Sequence, residues 1–330
     1  MNFSEIIGQD DAKELLSSSI KNKRCSHAYI LSGEEGSGKM MLAKRFAAAL
    51  LCEQQNGDAC GTCKSCLQAE SNNNPDIVYV SHEKPNTISV DEVRHQINDD
   101  VIIKPYSSPY KVYIVDDADL MNQQAQNALL KTIEEPPEYV IMLLLTVNSL
   151  SFLQTILSRC VKIEMKPIKG ELIRRELQDN YHCMNHQARM IEAFAQGNMG
   201  KAITLVSSEE FNEIKNRMIT LTKNAGNNRV TDVDEMVKTL AGDKAHINDY
   251  LDLMTIWFKD VLLYKATASQ DNLVFIEEAQ VIASQAEEYS YEQIDDIIQE
   301  IKTARLRIKS NVNYDLTVEL LLMTMSKEPS

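Results

Sequence analysis

Residues Gly33 to Lys39, in the stretch ILSGEEGSGKMML, read Gly, four residues, Gly, Lys. That spacing belongs to a loop whose backbone N–H groups, with the N-terminus of the following helix, surround phosphate oxygens while the lysine reaches the outer phosphates. The next position calls for a Ser or Thr hydroxyl to hold magnesium, and Met40 stands there instead. A thioether is a poor ligand for a hard cation, so phosphate binding is still expected while metal-assisted hydrolysis is compromised. A second set of candidates, Asp116 and Asp117 in VYIVDDADLM, follows an apolar run, and Asp116 is placed to hold a metal or its water. In an active ATPase of this kind the next residue is usually Glu, which polarises the attacking water. Asp117 is one methylene shorter, which matters when reacting atoms must lie about 3 Å apart. A third set, Cys52, Cys60, Cys63 and Cys66, has the spacing C-x7-C-x2-C-x2-C. Turns of the form Cys-x-x-Cys present two thiolates to one tetrahedral ion, and four thiolates leave no coordination site open for water, so the expected metal is a structural zinc. A redox switch needs two cysteines, and here four converge.

The elements that position these groups are legible from periodicity. His27 to Gly33, Asp76 to Val80, Lys111 to Asp117, Tyr139 to Asn148 and Cys160 to Met165 are short apolar runs with the character of buried strands in a parallel sheet. Between them lie helical patterns. Leu42, Phe46 and Ala49 share a face after Gly38, and the segment from Asn122 runs without a breaker until Pro136 and Pro137 stop it. The phosphate loop and Asp116 therefore both sit at strand ends, where ligands gather in a doubly wound α/β domain ending near Pro167. Beyond Pro167 the pattern is helical. Leu251, Met254, Phe258 and Val261 form one stripe, Leu316, Leu320 and Met323 another, and both are expected in the core.

With 330 residues, the chain is long enough for two or three domains. Its 48 acidic against 34 basic residues, a formal charge of -14, exclude a protein that grips nucleic acid over its whole surface, though not a local basic patch. The start at Met1 is polar and helix-like, without the regions of a signal peptide. The longest apolar run, Tyr139 to Val147, is too short to span a bilayer, so a cytoplasmic protein without membrane contact is expected. Cys25, Cys160 and Cys183 stand alone and are expected as small buried apolar residues.

Taken in order, IIGQ (Ile6 to Gln9), the phosphate loop, the cysteine insertion after its helix, VDDAD, NALLKTIEEPP (Asn127 to Pro137), TVNSLSFLQTILSRC (Thr146 to Cys160) and NVNYDLTVELLL (Asn311 to Leu322) span the chain. Together they resemble bacterial DNA polymerase III clamp-loader subunits, the delta-prime class more than the ATP-hydrolysing gamma/tau class. The resemblance implies an AAA+ P-loop domain over residues 1–167 with a zinc-binding insertion at 52–66, a small helical lid at 168–208, and an all-helical collar at 209–330. It also implies a hetero-pentamer with gamma/tau and delta subunits that opens a sliding clamp and places it on primer-template DNA. By residue match, Gly33, Gly36, Gly38, Lys39 and Asp116 would face nucleotide, Asn148 would be the sensor on its strand, and Arg159 would be an arginine finger in a neighbour's ATP site. In the motor subunits a lid arginine follows a Gly-Ser-x pattern. Here Gly200 takes that place, with Lys201 one residue later. Met40, Asp117 and Gly200 together remove metal ligation, water activation and γ-phosphate sensing, so the loop would hold ATP or ADP statically at most. A complete holoenzyme is a DNA-directed DNA polymerase, but nothing in this chain supports nucleotidyl transfer by itself. An unrelated P-loop kinase would need an acceptor site and a magnesium hydroxyl that the sequence lacks.

Overall fold

The computed structural model describes residues 2–225, 237, 238, 240 and 242–326. They form two compact units, Met1–Leu172 with Gly197–Lys201, and Ile173–Gln196 with Ala202–Ser330.

The first unit is built on five parallel strands: β1 (Ala28–Ser32), β2 (Ile77–Val80), β3 (Lys111–Val115), β4 (Val140–Thr146) and β5 (Val161–Glu164), in the order β2-β3-β4-β1-β5. Every residue of β4 is buried, and the strand's two-residue period sends alternate side chains to opposite faces. Ile141, Leu143 and Leu145 join one core with Tyr29, Leu31, Leu42 and Phe46, whereas Val140, Met142 and Leu144 join another with Ile30, Tyr113, Leu129 and Ile133. Helices Asp10–Lys21 and Lys39–Leu50 contribute to the first core, and Gln123–Glu134 to the second, so both faces of the sheet are covered as a doubly wound fold requires. Asn122 caps the last of these helices by accepting from Ala125 N–H, and the helix stops before Pro136. Because all strands run the same way, with Ser32 opposite Thr146 and Val115 opposite Leu144, the exits of β1, β3 and β4 share one edge. At the sheet's border, β5 departs from the expected buried run: only Ile163 is buried, while Lys162 and Glu164 are exposed. A border strand has one covered face and can alternate polar with apolar residues.

The second unit is helical. Leu251, Met254, Phe258 and Val261 of helix Ile247–Thr267 are buried as expected, beside Trp257, whose indole N–H donates to Gln285 Oε1 at 2.7 Å. The second expected stripe is on the opposite face of its helix. In Tyr314–Met325, Leu316, Leu320 and Met323 are 51%, 38% and 49% exposed, while Val318, Leu321, Leu322 and Met325 form the core face. Both sets have helical spacing, because this helix is apolar nearly all round, and periodicity alone cannot choose between them.

One polar cluster in this unit makes its stability respond to pH. His246 lies between Asp243 (Nδ1 to Oδ1, 2.6 Å) and Glu210 (Nε2 to Oε1, 3.2 Å). The hydrogen bond to Asp243, helped by nearby carboxylates, raises the imidazole above its ordinary 6.5. A raised folded-state pKa stabilises fully below the unfolded value, and that contribution is lost as pH rises through the folded pKa. The stability advantage of the wild-type chain over His246→Gln should therefore be full below 6.5 and shrink above it. Thermal unfolding of both chains across this range checks the point; a pH-independent difference would contradict it.

Candidate nucleotide and zinc sites

The phosphate loop leaves β1 at Ser32 and enters the helix at Lys39, with Gly36 and Gly38 at φ +77° and +92°, a region that disfavours side chains. Lys39 is only 9% exposed, and its Nζ donates to the carbonyls of Gly33 (2.8 Å) and Glu34 (2.9 Å). Burial pushes its ammonium below the ordinary lysine range, against the pull of Asp116, Asp117, Asp119 and Glu35. Those acidic groups are thus within electrostatic reach of the loop. Met40 packs against the core formed with Tyr29 and Leu42, which gives its apolar side chain a structural use where a hydroxyl would be a ligand.

At the exit of β3, Asp117 adopts a left-handed conformation (φ 45°, ψ 41°), and its N–H donates to Asp116 Oδ1 at 3.1 Å. Desolvation, then the neighbouring charges of Asp116 and Asp119, raise the Asp117 carboxyl above its usual range. Asn148, at the exit of β4, accepts from Leu150 N–H at 3.0 Å and so caps the short turn that follows. Two residues passed over by sequence reasoning organise this edge. Asp119 accepts from Thr146 Oγ1 at 2.8 Å, tying the exits of β3 and β4 together. Asn198 donates from Nδ2 to Glu35 O at 2.7 Å, while its Oδ1 accepts from Lys201 N–H at 3.0 Å. Only its place in GNMGKA beside Gly200 could have pointed to it.

Gly200 N–H donates to Gly36 O at 2.9 Å. A Cβ at position 200 would lie 2.5 Å from Gly36 O and 2.6 Å from Gly36 Cα, closer than such atoms approach. Position 200 is thus occupied by backbone packed on backbone.

Arg159 lies in the short connection between Gln154–Leu157 and β5. Its side chain is 40% exposed and pairs with Glu134 Oε1 at 3.1 Å, while Nη1 donates to Thr155 O at 3.1 Å. The guanidinium is held at the surface by contacts that a stronger anion could replace.

The four clustered cysteines converge, with all Sγ atoms within 4.8 Å of one another. A tetrahedral zinc with bonds of about 2.3 Å holds its sulfurs about 3.8 Å apart, and Cys60 and Cys66 Sγ lie 3.9 Å apart. Backbone N–H groups of Cys60, Cys63 and Cys66 donate to Cys52, Cys60 and Cys63 Sγ at 3.3–3.4 Å, contacts that favour thiolates. Hydrogen bonding led by Thr62 pulls the Cys60 thiol down to about 6, whereas burial raises that of Cys66. These residues fit a structural zinc. The isolated Cys25, Cys160 and Cys183 are half-buried rather than fully buried, and burial raises all three thiols, that of Cys160 to about 11.

Two family models match in tandem: "DNA polymerase III, delta subunit" over residues 8–169 and "DNA polymerase III, delta subunit, C terminal" over residues 208–327. The chain belongs to the delta-subunit family of DNA polymerase III. It is a clamp-loader-family subunit of DNA polymerase III with a parallel α/β domain and a helical C-terminal region. It is 28% identical to the delta-prime subunit of Bacillus subtilis DNA polymerase III, over 97% of this chain and 96% of that one. The tau subunit of the same organism is 29% identical over 89% of this chain and 56% of that one. Among solved structures, a gamma subunit-related protein of Thermotoga maritima aligns over 96% of this chain and 99% of that one, with 20% identity and a TM-score of 0.44. No described helix of this family member is long and apolar enough to cross a membrane.

Proposed function

We propose that this chain is the delta-prime-like subunit of a clamp loader. In this reading it assembles with gamma/tau and delta subunits into a hetero-pentamer that loads a sliding clamp on primer-template DNA in the cytoplasm. Residues 1–167 serve as the AAA+ module with the zinc-stabilised insertion 52–66, residues 168–208 as the lid, and residues 209–330 as the collar. The observation that carries this reading over an ATP-hydrolysing gamma/tau-type motor is the packing of Gly200 on Gly36, which leaves no space for a phosphate-sensing side chain. Met40 packed against the core and Asp117 in place of the longer Glu act in the same direction. The loop and Asp116 then serve as a scaffold that at most holds ATP or ADP without turning it over. Arg159, accessible at the domain surface, leaves Glu134 and meets the γ-phosphate of an adjoining subunit, where an arginine supplied in trans stabilises transition-state charge. The chain contributes to the polymerase holoenzyme without performing nucleotidyl transfer.

Two measurements on the purified chain test this. Mixed with the gamma/tau and delta subunits of its own cell, it should enter one stoichiometric complex on size exclusion. Alone, it should show no magnesium-dependent ATPase above background. Met40→Thr should not restore one, because water activation and phosphate sensing remain absent. Robust hydrolysis by the isolated wild-type chain would favour the motor reading instead.

A further inference from the structure

At the phosphate loop of the first unit, several donors that would otherwise be open to an anion are already paired within the chain. Lys39 Nζ is bonded to the carbonyls of Gly33 and Glu34. The next two carbonyls of the loop are taken by the segment Gly197–Lys201, with Glu35 O accepting from Asn198 Nδ2 and Gly36 O from Gly200 N–H. Helix Met199–Val206 begins here, and its first N–H groups would ordinarily be open to an anion. Instead the Gly200 N–H faces the loop apex and the Lys201 N–H faces Asn198 Oδ1.

Asn198 is buried, and its amide therefore works from both ends, donating to the loop and capping the helix. The fit has no slack. A Cβ at Gly36 would lie 2.7 Å from Asn198 Oδ1, and one at Gly200 would strike the backbone of Gly36. Ser37 Oγ, inside the same loop, is buried with no hydrogen-bond partner among the described residues. Opening the loop would let that hydroxyl find one.

We propose that Gly197–Lys201 is an intramolecular latch that holds this chain's own phosphate loop closed against nucleotide. It rests on the reading of Gly33–Lys39 as a phosphate loop and adds the device that regulates it. Glycine at position 200 thus does more than omit a sensing arginine: it permits the backbone contact that shuts the latch. Nucleotide binds only by exchanging these internal hydrogen bonds for its own.

The test is on the isolated full-length chain with a fluorescent ADP analogue as probe. Asn198→Ala removes the amide staple, and Gly200→Ala forces the two backbones apart. Each variant should bind the analogue about tenfold more tightly than wild type, the worth of one opposing hydrogen bond removed. Amide hydrogen exchange at position 200 should be faster in both variants. Folded variants that bind no better than wild type, or do not bind at all, overturn the latch. Wild-type chain supplies a measurement that does not depend on the variants folding. At a probe concentration that saturates it, exchange of the Gly200 amide must accelerate, and bound probe with that amide still protected overturns the proposal. Wild type that takes up no probe while either variant does is the expected result in its strongest form. The clamp-loader reading is judged by assembly with the other subunits, so either can fail without the other.

Discussion

A clamp loader reconstituted with Arg159→Ala should assemble normally and lose hydrolysis at one ATP site, the one where Arg159 is proposed to act as a finger. An arginine in trans contributes roughly 10³ to 10⁵ in rate, or about 4 to 7 kcal/mol of transition-state stabilisation, in well-studied phosphoryl-transfer systems. Clamp- and DNA-stimulated ATPase and clamp loading should fall with it. The competing account is a surface arginine whose purpose is the local pair with Glu134, 3.1 Å away. Such exposed pairs contribute about 0 to 1 kcal/mol. Glu134→Ala separates the two, since it breaks the pair but leaves the guanidinium free to reach a neighbour. If Arg159→Ala assembles and both activities remain at wild-type level, the arginine is no finger, and this chain's part in the motor's cycle must be reassigned.

The second large effect concerns the cysteines. Purified without chelator, the chain should carry close to one zinc, and Cys63→Ser should lose it. Apparent zinc binding by small structural sites is worth roughly 10 to 16 kcal/mol near neutral pH, and in such sites that energy is also folding energy. The damage should be local at first. Cys63 caps helix Lys64–Glu70 by accepting from Cys66 N–H, and Cys52 and Cys66 are buried in the core that also holds Leu42 and Phe46. Loosening at Cys52 should therefore spread to the helix that starts at Lys39, measurable as faster hydrogen exchange there. Metal-free protein with four titratable thiols and an unchanged melting temperature would refute the zinc site.

Much of this protein was determined by the sequence alone, where one local period or spacing admits a single solution. The strands at 28–32, 77–80, 111–115 and 140–146 fall inside the runs that the apolar pattern marks. Four cysteines within fifteen residues can meet without help from the rest of the chain, and their Sγ atoms do converge. The departure at Met40 was readable because a phosphate loop has fixed positions, whereas the reading of Gly200 as a missing arginine came from the family resemblance alone.

Tertiary structure decided what no local pattern can carry. Leu316, Leu320 and Met323 and the set Val318, Leu321, Leu322 and Met325 have the same periodicity, and only packing against the other helices selected the second as core. The outer place of β5 in the sheet, which leaves Lys162 and Glu164 in solvent, depends on which strand pairs with β1. Asp119 matters because β3 and β4 exit side by side, and Asn198 because it reaches a carbonyl 163 residues earlier in the chain. Gly200 reads as a missing arginine in sequence, but whether its position is open space or a closed contact depends on how near the Gly36 backbone comes. That distance is set by long-range packing, and it leaves no room for even one carbon atom.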